Sequence, residues 1–426
     1  MVVAPIAAGQ EAELRATLDT MNFRPGVVNP SNELVPFAGL GRLHFARFVI
    51  LDDRTAEDIA AYGMTPYDWP KSLAFLGDCD GPAESFLAEL VAVAENGLRK
   101  VFSHCQGFEQ GADLLPWLKE RSKAPAANYV NWIGRTVRQV REECALRDAL
   151  VGFIERHGST LVTLDSRQVL YVLQRFVRAE TDAGRLTLTP PEPTPLTWRV
   201  GNGLHLVGVP LLLLLLMPLL IIYLPFFAYQ LRRREKSDPE ITPRPAADHV
   251  SKLADLEDHD VSNQFSALGA VKPGLFRRWT VTFFIWVLNY GARHIFNHGH
   301  LTRVKTIHFA RWVFLDNKRR LFFASNYDGS LESYMDDFIN KVAWGLNLVF
   351  SNGVGYPRSR WLILDGAKDE QKFKNYIRRH ELPTEVWYHA HPGLTAFELE
   401  RNSKIREGIE SVAMNDDEIR AWLRLL

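Results

Sequence analysis

The residues best suited to chemistry occur in pairs. His44 and His308 stand in two closely similar stretches, RLHFARFVILD (42–52) and TIHFARWVFLD (306–316), and each is followed three residues later by an arginine, Arg47 or Arg311. An imidazole changes charge near neutral pH and can serve as acid, base or metal ligand. A guanidinium can hold a carboxylate through two parallel hydrogen bonds. Farther along, GDCDG (77–81) and SNYDG (325–329) put Asp80 and Asp328 directly before a glycine. A carboxylate there can do acid–base work, or it can cap the following helix by accepting backbone N–H groups. His389 and His391, in YHAHP, point the same way if they share a strand, a spacing that can hold a metal or support a cofactor. No third ligand stands at a clear spacing, so a metal site is not expected. A satisfied core histidine and an Arg–Asp ion pair account for the repeated residues equally well. Phosphate loops, nucleophile elbows, HExxH and dinucleotide fingerprints do not occur.

The elements that position these residues are themselves repeated. The His-Phe-Ala-Arg block is rich in β-branched and aromatic residues and runs into a turn, which predicts a strand. Alternation then puts His44 with Ala46 on one face and Arg47 on the other, and likewise His308, Ala310 and Arg311. LAFLGDCDG (73–81) matches LFFASNYDG (321–329) as the hairpin partner, and residues 82–108 align with 330–356 without a gap. Leu331, Tyr334, Met335, Phe338, Ile339, Val342 and Leu346 recur at helical spacing, as do Ala83, Phe86, Leu87, Leu90, Val91 and Ala94. A strand at Arg360–Asp365, a helix at Asp369–His380 and a strand at Glu385–His391 should follow in the second copy. The first copy reads as more helical after residue 129, with a strand at Thr160–Leu164. A weaker match joins Tyr129, Gly134 and Thr136 to Tyr388, Gly393 and Thr395. Three blocks in one order point to an internal duplication, and their elements predict an α+β fold with helices on one face of an antiparallel sheet.

On these motifs the chain resembles the dimeric α/β-barrel superfamily, whose ferredoxin-like modules pair through antiparallel sheets, often as tandem copies. Within it, the dye-decolourising haem peroxidases carry a GxxDG motif whose Asp works on the distal side of haem. Residues 77–81 fit that motif, and the second copy has Ser325 in place of the first glycine. The resemblance implies haem as cofactor, Asp328 and Arg311 (with Asp80 and Arg47 if both copies act) handling peroxide, and iron ligation from among His308, His389, His391 and His44. The activity implied is that of a membrane-anchored, peroxidase-like oxidoreductase acting on an apolar or lipid-derived substrate. The competing expectation is a non-catalytic module that binds a lipid or a partner protein, with Arg47 and Arg311 on an acidic headgroup.

The anchor is read from the apolar run. Gly201–Leu231 contains no Asp, Glu, Lys or Arg, and Arg232, Arg233, Arg234 and Lys236 follow. About 20 apolar residues suffice to cross a bilayer core, and the basic cluster favours the cytoplasmic side. Pro210, Pro218 and Pro225 interrupt the run, so it reads either as a bent hairpin, as a crossing reversed by Trp279–Phe296, or as a single crossing. The opening residues lack a secretory pattern, so the soluble modules are expected in the cytoplasm. The expected organisation is a first module over 1–185, a Pro-rich linker over 186–200, the membrane segment over 201–231, a charged linker over 232–274, an interfacial helix over 275–300 and a second module over 301–426. Lys plus Arg number 50 and Asp plus Glu 50 among 426 residues. That balance gives no electrostatic reason to expect nucleic acid. The three cysteines form no CxxC pair and read as small buried hydrophobes.

Overall fold

The computed structural model describes every residue except Gln110 and Thr242. Two stretches of chain follow one order of elements. The first runs β1 (Val2–Pro5), α1 (Glu11–Asp19), a hairpin of β2 (Leu43–Leu51) and β3 (Ser72–Cys79), α2 (Ala83–Phe102) and β4 (Ala127–Val130). After it come α3 (Val137–Leu161), α4 (Ser166–Asp182) and the long α5 (Leu196–Ser237). The second stretch runs β5 (Ser262–Ala270), α6 (Leu275–His294), a hairpin of β6 (Ile307–Leu315) and β7 (Arg320–Asp328), α7 (Leu331–Phe350) and, beyond α8 (Glu370–His380), β8 (Thr384–His389). Helices α9 (Ala396–Glu410) and α10 (Asp416–Leu423) complete the chain.

Each hairpin forms the middle of a four-stranded antiparallel sheet, in the orders β1-β3-β2-β8 and β4-β6-β7-β5. The closing strand of each stretch therefore lies beside the other stretch's hairpin. The registers correspond, with Tyr388 opposite Ala46 and Tyr129 opposite Ala310. Both faces of the sheets are covered. Leu43, Ala46, Phe48 and Ile50 of β2 join Leu14 and Leu18 of α1 and Phe86, Leu90 and Leu98 of α2 in one core. Phe265, Ala310, Trp312 and Phe323 join Val281 and Ile285 of α6 and Met335, Phe338 and Val342 of α7 in another. The remaining faces meet each other: Val49, Leu51, Ala74 and Leu76 contact Leu268, Val313, Leu315, Phe322 and Ala324. Each buried Val, Leu, Ile, Phe or Met among them stabilises the fold by about 1.5–3 kcal/mol relative to its exposed state.

Two details recur at aligned positions. Helices α2 and α7 are each broken by one non-helical residue, Ala94 (φ −129°, ψ 24°) and Val342 (φ −143°, ψ 27°). Each hairpin also shifts register at its histidine, between Leu43 and Phe45 and between Ile307 and Phe309.

Several sequence-based expectations are corrected. Thr160–Leu164 is not a strand. Helix α3 continues to Leu161, and a capping box begins α4, with Asp165 Oδ1 accepting from Gln168 N (2.9 Å) and Gln168 Oε1 from Asp165 N (3.0 Å); this local pairing overrides the β-branched Thr160, Val162 and Thr163. Arg360–Asp365 is a small hairpin of Ser359–Arg360 with Leu364–Asp365 rather than one strand. Its turn puts Trp361 (φ 57°) and Leu362 (φ 59°) in the left-handed region, and Glu235 holds them by accepting from both backbone N–H groups at 3.0 and 2.9 Å. The segment Arg232–His249 is only partly extended, because α5 continues to Ser237 and a short helix covers Ala247–Ala254.

The chain divides into two compact units, and each draws on both halves of the sequence. Met1–Ile133 and Thr194–Ala390 form the unit with both sheets; Gly134–Pro193 and His391–Leu426 form the other. The latter is helical. Leu146, Leu150, Leu170, Leu173 and Val177 pack with Ile405, Ile409, Ile419 and Trp422, and Thr136 and Thr395 cap α3 and α9 by accepting from Gln139 N (3.1 Å) and Glu398 N (3.2 Å).

Helix α5 is long and apolar enough to cross a membrane. It has 42 residues, a mean hydropathy of 2.7 over its most apolar window, and none of that window is buried. Its three prolines lie inside an uninterrupted helix. It meets α6 at both ends. Near its start, Asn202 Oδ1 lies 2.6 Å from His294 Nδ1 and the His205 carbonyl accepts from Tyr290 Oη (2.9 Å). Near its end, Phe227 packs on Phe276, and Asp238 pairs with Lys272 (2.8 Å) and Arg277 (2.6 Å). Helix α6 turns Val281 and Ile285 inward and leaves Trp279, Phe283 and Trp286 exposed.

Candidate functional site

The register shifts decide where the paired histidines point. A bulge breaks the period-two alternation and re-aims the side chain. His44 and His308 are therefore not turned away from the arginines, as alternation predicted. His44 packs on Phe309 of the other hairpin (5.4 Å between rings), and His308 packs on Phe45 (5.4 Å). Each imidazole meets the aspartate that closes its own hairpin: His44 Nε2 is 2.9 Å from Asp80 Oδ1, and His308 Nε2 is 2.6 Å from Asp328 Oδ1. Ser262 Oγ also donates to Asp328 Oδ1 (2.9 Å). Helix capping is thus not the role of these carboxylates, since α2 starts behind Pro82 and α7 behind Ser330, whose own Oγ accepts from Ser333 N (3.3 Å). His389 joins the cluster by stacking on Trp387 (4.4 Å), with Nε2 3.2 Å from Asp260 Oδ2. Strand β8 ends at His389 and His391 lies beyond it, because the chain turns at Pro392-Gly393; the shared-strand argument does not extend to His391, which is buried. Among the described residues, no group of three or more His, Cys, Asp or Glu is arranged to hold a metal ion.

The two arginines tie the sheets together. Arg47 donates to the carbonyls of Phe265 (2.7 Å) and Ser325 (3.0 Å), to Ser266 Oγ (2.9 Å) and to Asn326 Oδ1. Arg311 reaches back across the interface to the Gly77 carbonyl (3.0 Å) and Asp78. Asn326 Nδ2 donates to Asp78 Oδ2 (3.0 Å), and Trp387 Nε1 donates to Asn326 Oδ1 (3.3 Å). Burial draws Arg47 down to about 10, opposed by the Asp78 carboxylate. Protein acceptors thus engage Nη1 and Nη2 of Arg47 and Nη2 of Arg311.

Away from this cluster lies a cavity of about 310 Å³, between the helix-covered face of the second sheet and helices α6, α7 and α8. Phe265, Trp312 and Phe323 line it from the sheet, Phe284 and Leu288 from α6, Phe338, Val342 and Gly345 from α7, and Tyr376 and His380 from α8. Its lining contains no Asp, Glu, Lys or Arg, and none of His44, His308, Asp80 and Asp328. Val287, Ile295 and Trp344 are 40, 55 and 51% exposed and mark where it reaches the surface. The volume is at the lower end of ordinary small-molecule sites.

At the matching place in the first stretch, the space beside α2 is filled by chain. Gly97 of α2 aligns with Gly345 of α7. A Cβ at Gly97 would collide with the Leu34 backbone, whereas one at Gly345 would have no atom within 4 Å. The loop beneath Gly97 is pinned by Asn32, which donates to the Val35 carbonyl (2.7 Å) and accepts from Val35 N (2.8 Å), and it buries Val35, Phe37 and Leu40. Residues lining a cavity carry the same apolar spacing as residues filling a core, so periodicity alone did not reveal it.

The residue that follows α8, Glu381, is buried beside Glu257, with Arg378 bonding both at 3.2 and 2.6 Å. Burial, then Glu257, raises the Glu381 carboxyl well above its ordinary value of 4.5. The folded protein then keeps a proton that the unfolded chain releases, so this contribution to stability is complete below about pH 4.5 and is lost as pH rises toward the folded pKa. Urea midpoints should therefore fall as pH rises above about 4.5, and Glu381→Gln should flatten that slope. An unchanged slope in the variant would contradict the assignment.

Comparison with known proteins yields no matching family model, no matching curated protein and no matching solved structure.

Proposed function

We propose that the protein is a tandem pair of ferredoxin-like modules, seated on one face of a lipid bilayer, that binds an apolar molecule within the second module. The observation that carries this reading is the uncharged cavity, which opens beside the exposed aromatic face of α6, next to α5. Two copies of a strand-helix-hairpin-helix-strand unit, each lending its last strand to the other's sheet, account for the matched registers, helix breaks and bulges. The same exchange supports a one-sided arrangement. Strand β4 precedes α5 in the chain and β8 follows it, yet each pairs with a hairpin from the other side of α5, so both flanks belong in one compartment. Helix α5, apolar all round its central run, is then sunk in one leaflet rather than crossing the bilayer, and the exposed Trp279 and Trp286 suit the headgroup zone. A ligand entering past Val287, Ile295 and Trp344 comes directly from the lipid phase.

The test is extraction. Full-length protein purified in mild detergent should release a defined apolar compound in near-stoichiometric amount, beyond bulk lipid; recovery of bulk lipid alone would count against the reading. Sidedness has its own check. With Cys79, Cys105 and Cys144 all replaced by Ala, single cysteines at Glu192 and Glu240 should both react with an impermeant maleimide from the same face of sealed vesicles. Reaction from opposite faces would sink the one-sided arrangement.

A haem-dependent, peroxidase-like oxidoreductase is the second reading. It is motivated by the clustered His–Asp pairs, since a carboxylate orients an imidazole for proton transfer. Ligation through His44, His308 or His389 requires Nε2 to leave its aspartate, and peroxide handling requires Arg47 or Arg311 to leave the sheet interface; those contacts favour the binding module over ligation by any of these three, and His391 is the remaining candidate. A Soret band on adding haem to the purified protein would decide for the oxidoreductase.

A further inference from the structure

We infer that the cavity takes a neutral ligand whose polar end is a hydroxyl group, held at His380. This rests on the cavity being a binding site and concerns which class of molecule fills it.

The cavity is not uniformly apolar. Tyr376 and His380, one turn apart on α8 with rings 4.1 Å apart, line it at one end. His380 Nδ1 lies 2.8 Å from the Tyr376 carbonyl, which can only accept, so Nδ1 carries the hydrogen. His380 is 4% exposed and its Nε2 has no hydrogen-bond partner. Burial also lowers its affinity for a proton, so the ring is neutral and Nε2 presents a lone pair. Asn352, which lines the cavity too, repeats the pattern: its Nδ2 donates to the Leu348 (3.1 Å) and Val349 (3.4 Å) carbonyls, while its buried Oδ1 is unpartnered. Two glycines make room for this end. A Cβ at Gly353 would sit 2.7 Å from Tyr376 Oη, and one at Gly269 would sit 3.2 Å from His380 Cδ2.

Two buried acceptors without donors cost stability, and a ligand that supplies an O–H satisfies at least one of them. A carboxylate or phosphate finds no cation in the lining, and an ammonium finds no carboxylate, so burying either charge is strongly unfavourable. The cavity volume corresponds to about ten groups of water size, at ~30 Å³ each. A chain of that length ending in an alcohol fits in both size and chemistry.

The experiment follows tryptophan quenching, because Trp312 and Trp344 line the cavity. Full-length protein in phosphatidylcholine nanodiscs is titrated with ω-bromo-octanol, its methyl ether, ω-bromo-octanoate and bromo-octane. The saturable quenching should be about tenfold tighter for the alcohol than for the ether or the carboxylate. His380→Phe should bring the alcohol and ether within about twofold of each other. If the wild-type protein binds alcohol and ether equally, or the carboxylate most tightly, the hydroxyl assignment is overturned while the cavity reading stands. If none of the four shows saturable quenching, the cavity reading itself fails. Because the ligand series is run on the wild-type protein, the result does not depend on the variant folding.

Discussion

Replacing Asp78 with alanine is expected to lower the unfolding free energy by about 3–5 kcal/mol, measured as a fall in the urea midpoint of the full-length protein. The size follows from what remains. Asp78 is the carboxylate that meets Arg311 across the sheet interface and accepts from Asn326 Nδ2. Arg47 lies in the same interface, buried, and its nearest side-chain acceptor there is the neutral Asn326. Removing Asp78 leaves two buried guanidinium groups with no carboxylate between them, and the desolvation cost of Arg311 is no longer offset. Exchanging both partners for apolar residues, Asp78→Leu with Arg311→Met, should recover part of the loss, because the Arg311 charge goes with its partner while Arg47 stays buried. An exposed pair such as Arg167–Asp416, with side chains 65 and 55% accessible, should contribute under about 1 kcal/mol when broken. An Asp78→Ala protein as stable as wild type would show that the interface does not depend on this pair.

The same residues show which features could be read from sequence. The strands carrying His44 and His308, their hairpin partners and the following helices were legible, because each combines a local pattern with a repeated string of letters. Arg47 and Arg311 were legible as important but not as inter-sheet ties. Along β2 every residue is buried, so neither face of that strand leads to solvent. Single-sequence alternation assumes one wet face, and a charged residue on it then reads as a ligand clamp. The strand exchange was not legible, because pairing between distant strands leaves no trace in local propensity. Nor were the bulges, which turn each histidine toward the opposite hairpin and its own aspartate. His380 carried no signal in sequence: it ends an ordinary amphipathic helix, and only its partnerless Nε2 and its place in the cavity lining distinguish it.

The contrast between Gly97 and Gly345 yields the second large effect, because aligned glycines should respond to substitution in opposite ways. At Gly97 a methyl group meets the Leu34 backbone rather than a movable side chain. Gly97→Ala must push the Asn32-pinned loop off the core and should destabilise by about 1–3 kcal/mol or more. At Gly345 a methyl group meets nothing within 4 Å, and a helical glycine replaced by alanine typically gains about 0.5–1 kcal/mol. Gly345→Ala should thus raise the melting temperature where Gly97→Ala lowers it. Gly345→Phe goes further. On the helix it lies in register with Phe338, Val342 and Val349, the cavity-facing stripe, so its ring enters the space that the Val35–Leu40 loop fills in the first module. Displacing three methylene-sized positions from a chain-like ligand costs about 2.4 kcal/mol at ~0.8 kcal/mol each, close to a 50-fold loss of affinity. On the proposed binding function, Gly345→Phe should abolish most ligand binding with no fall in melting temperature, because the phenylalanine takes over the apolar contacts. Unaltered binding in a folded Gly345→Phe protein would place the ligand outside this cavity.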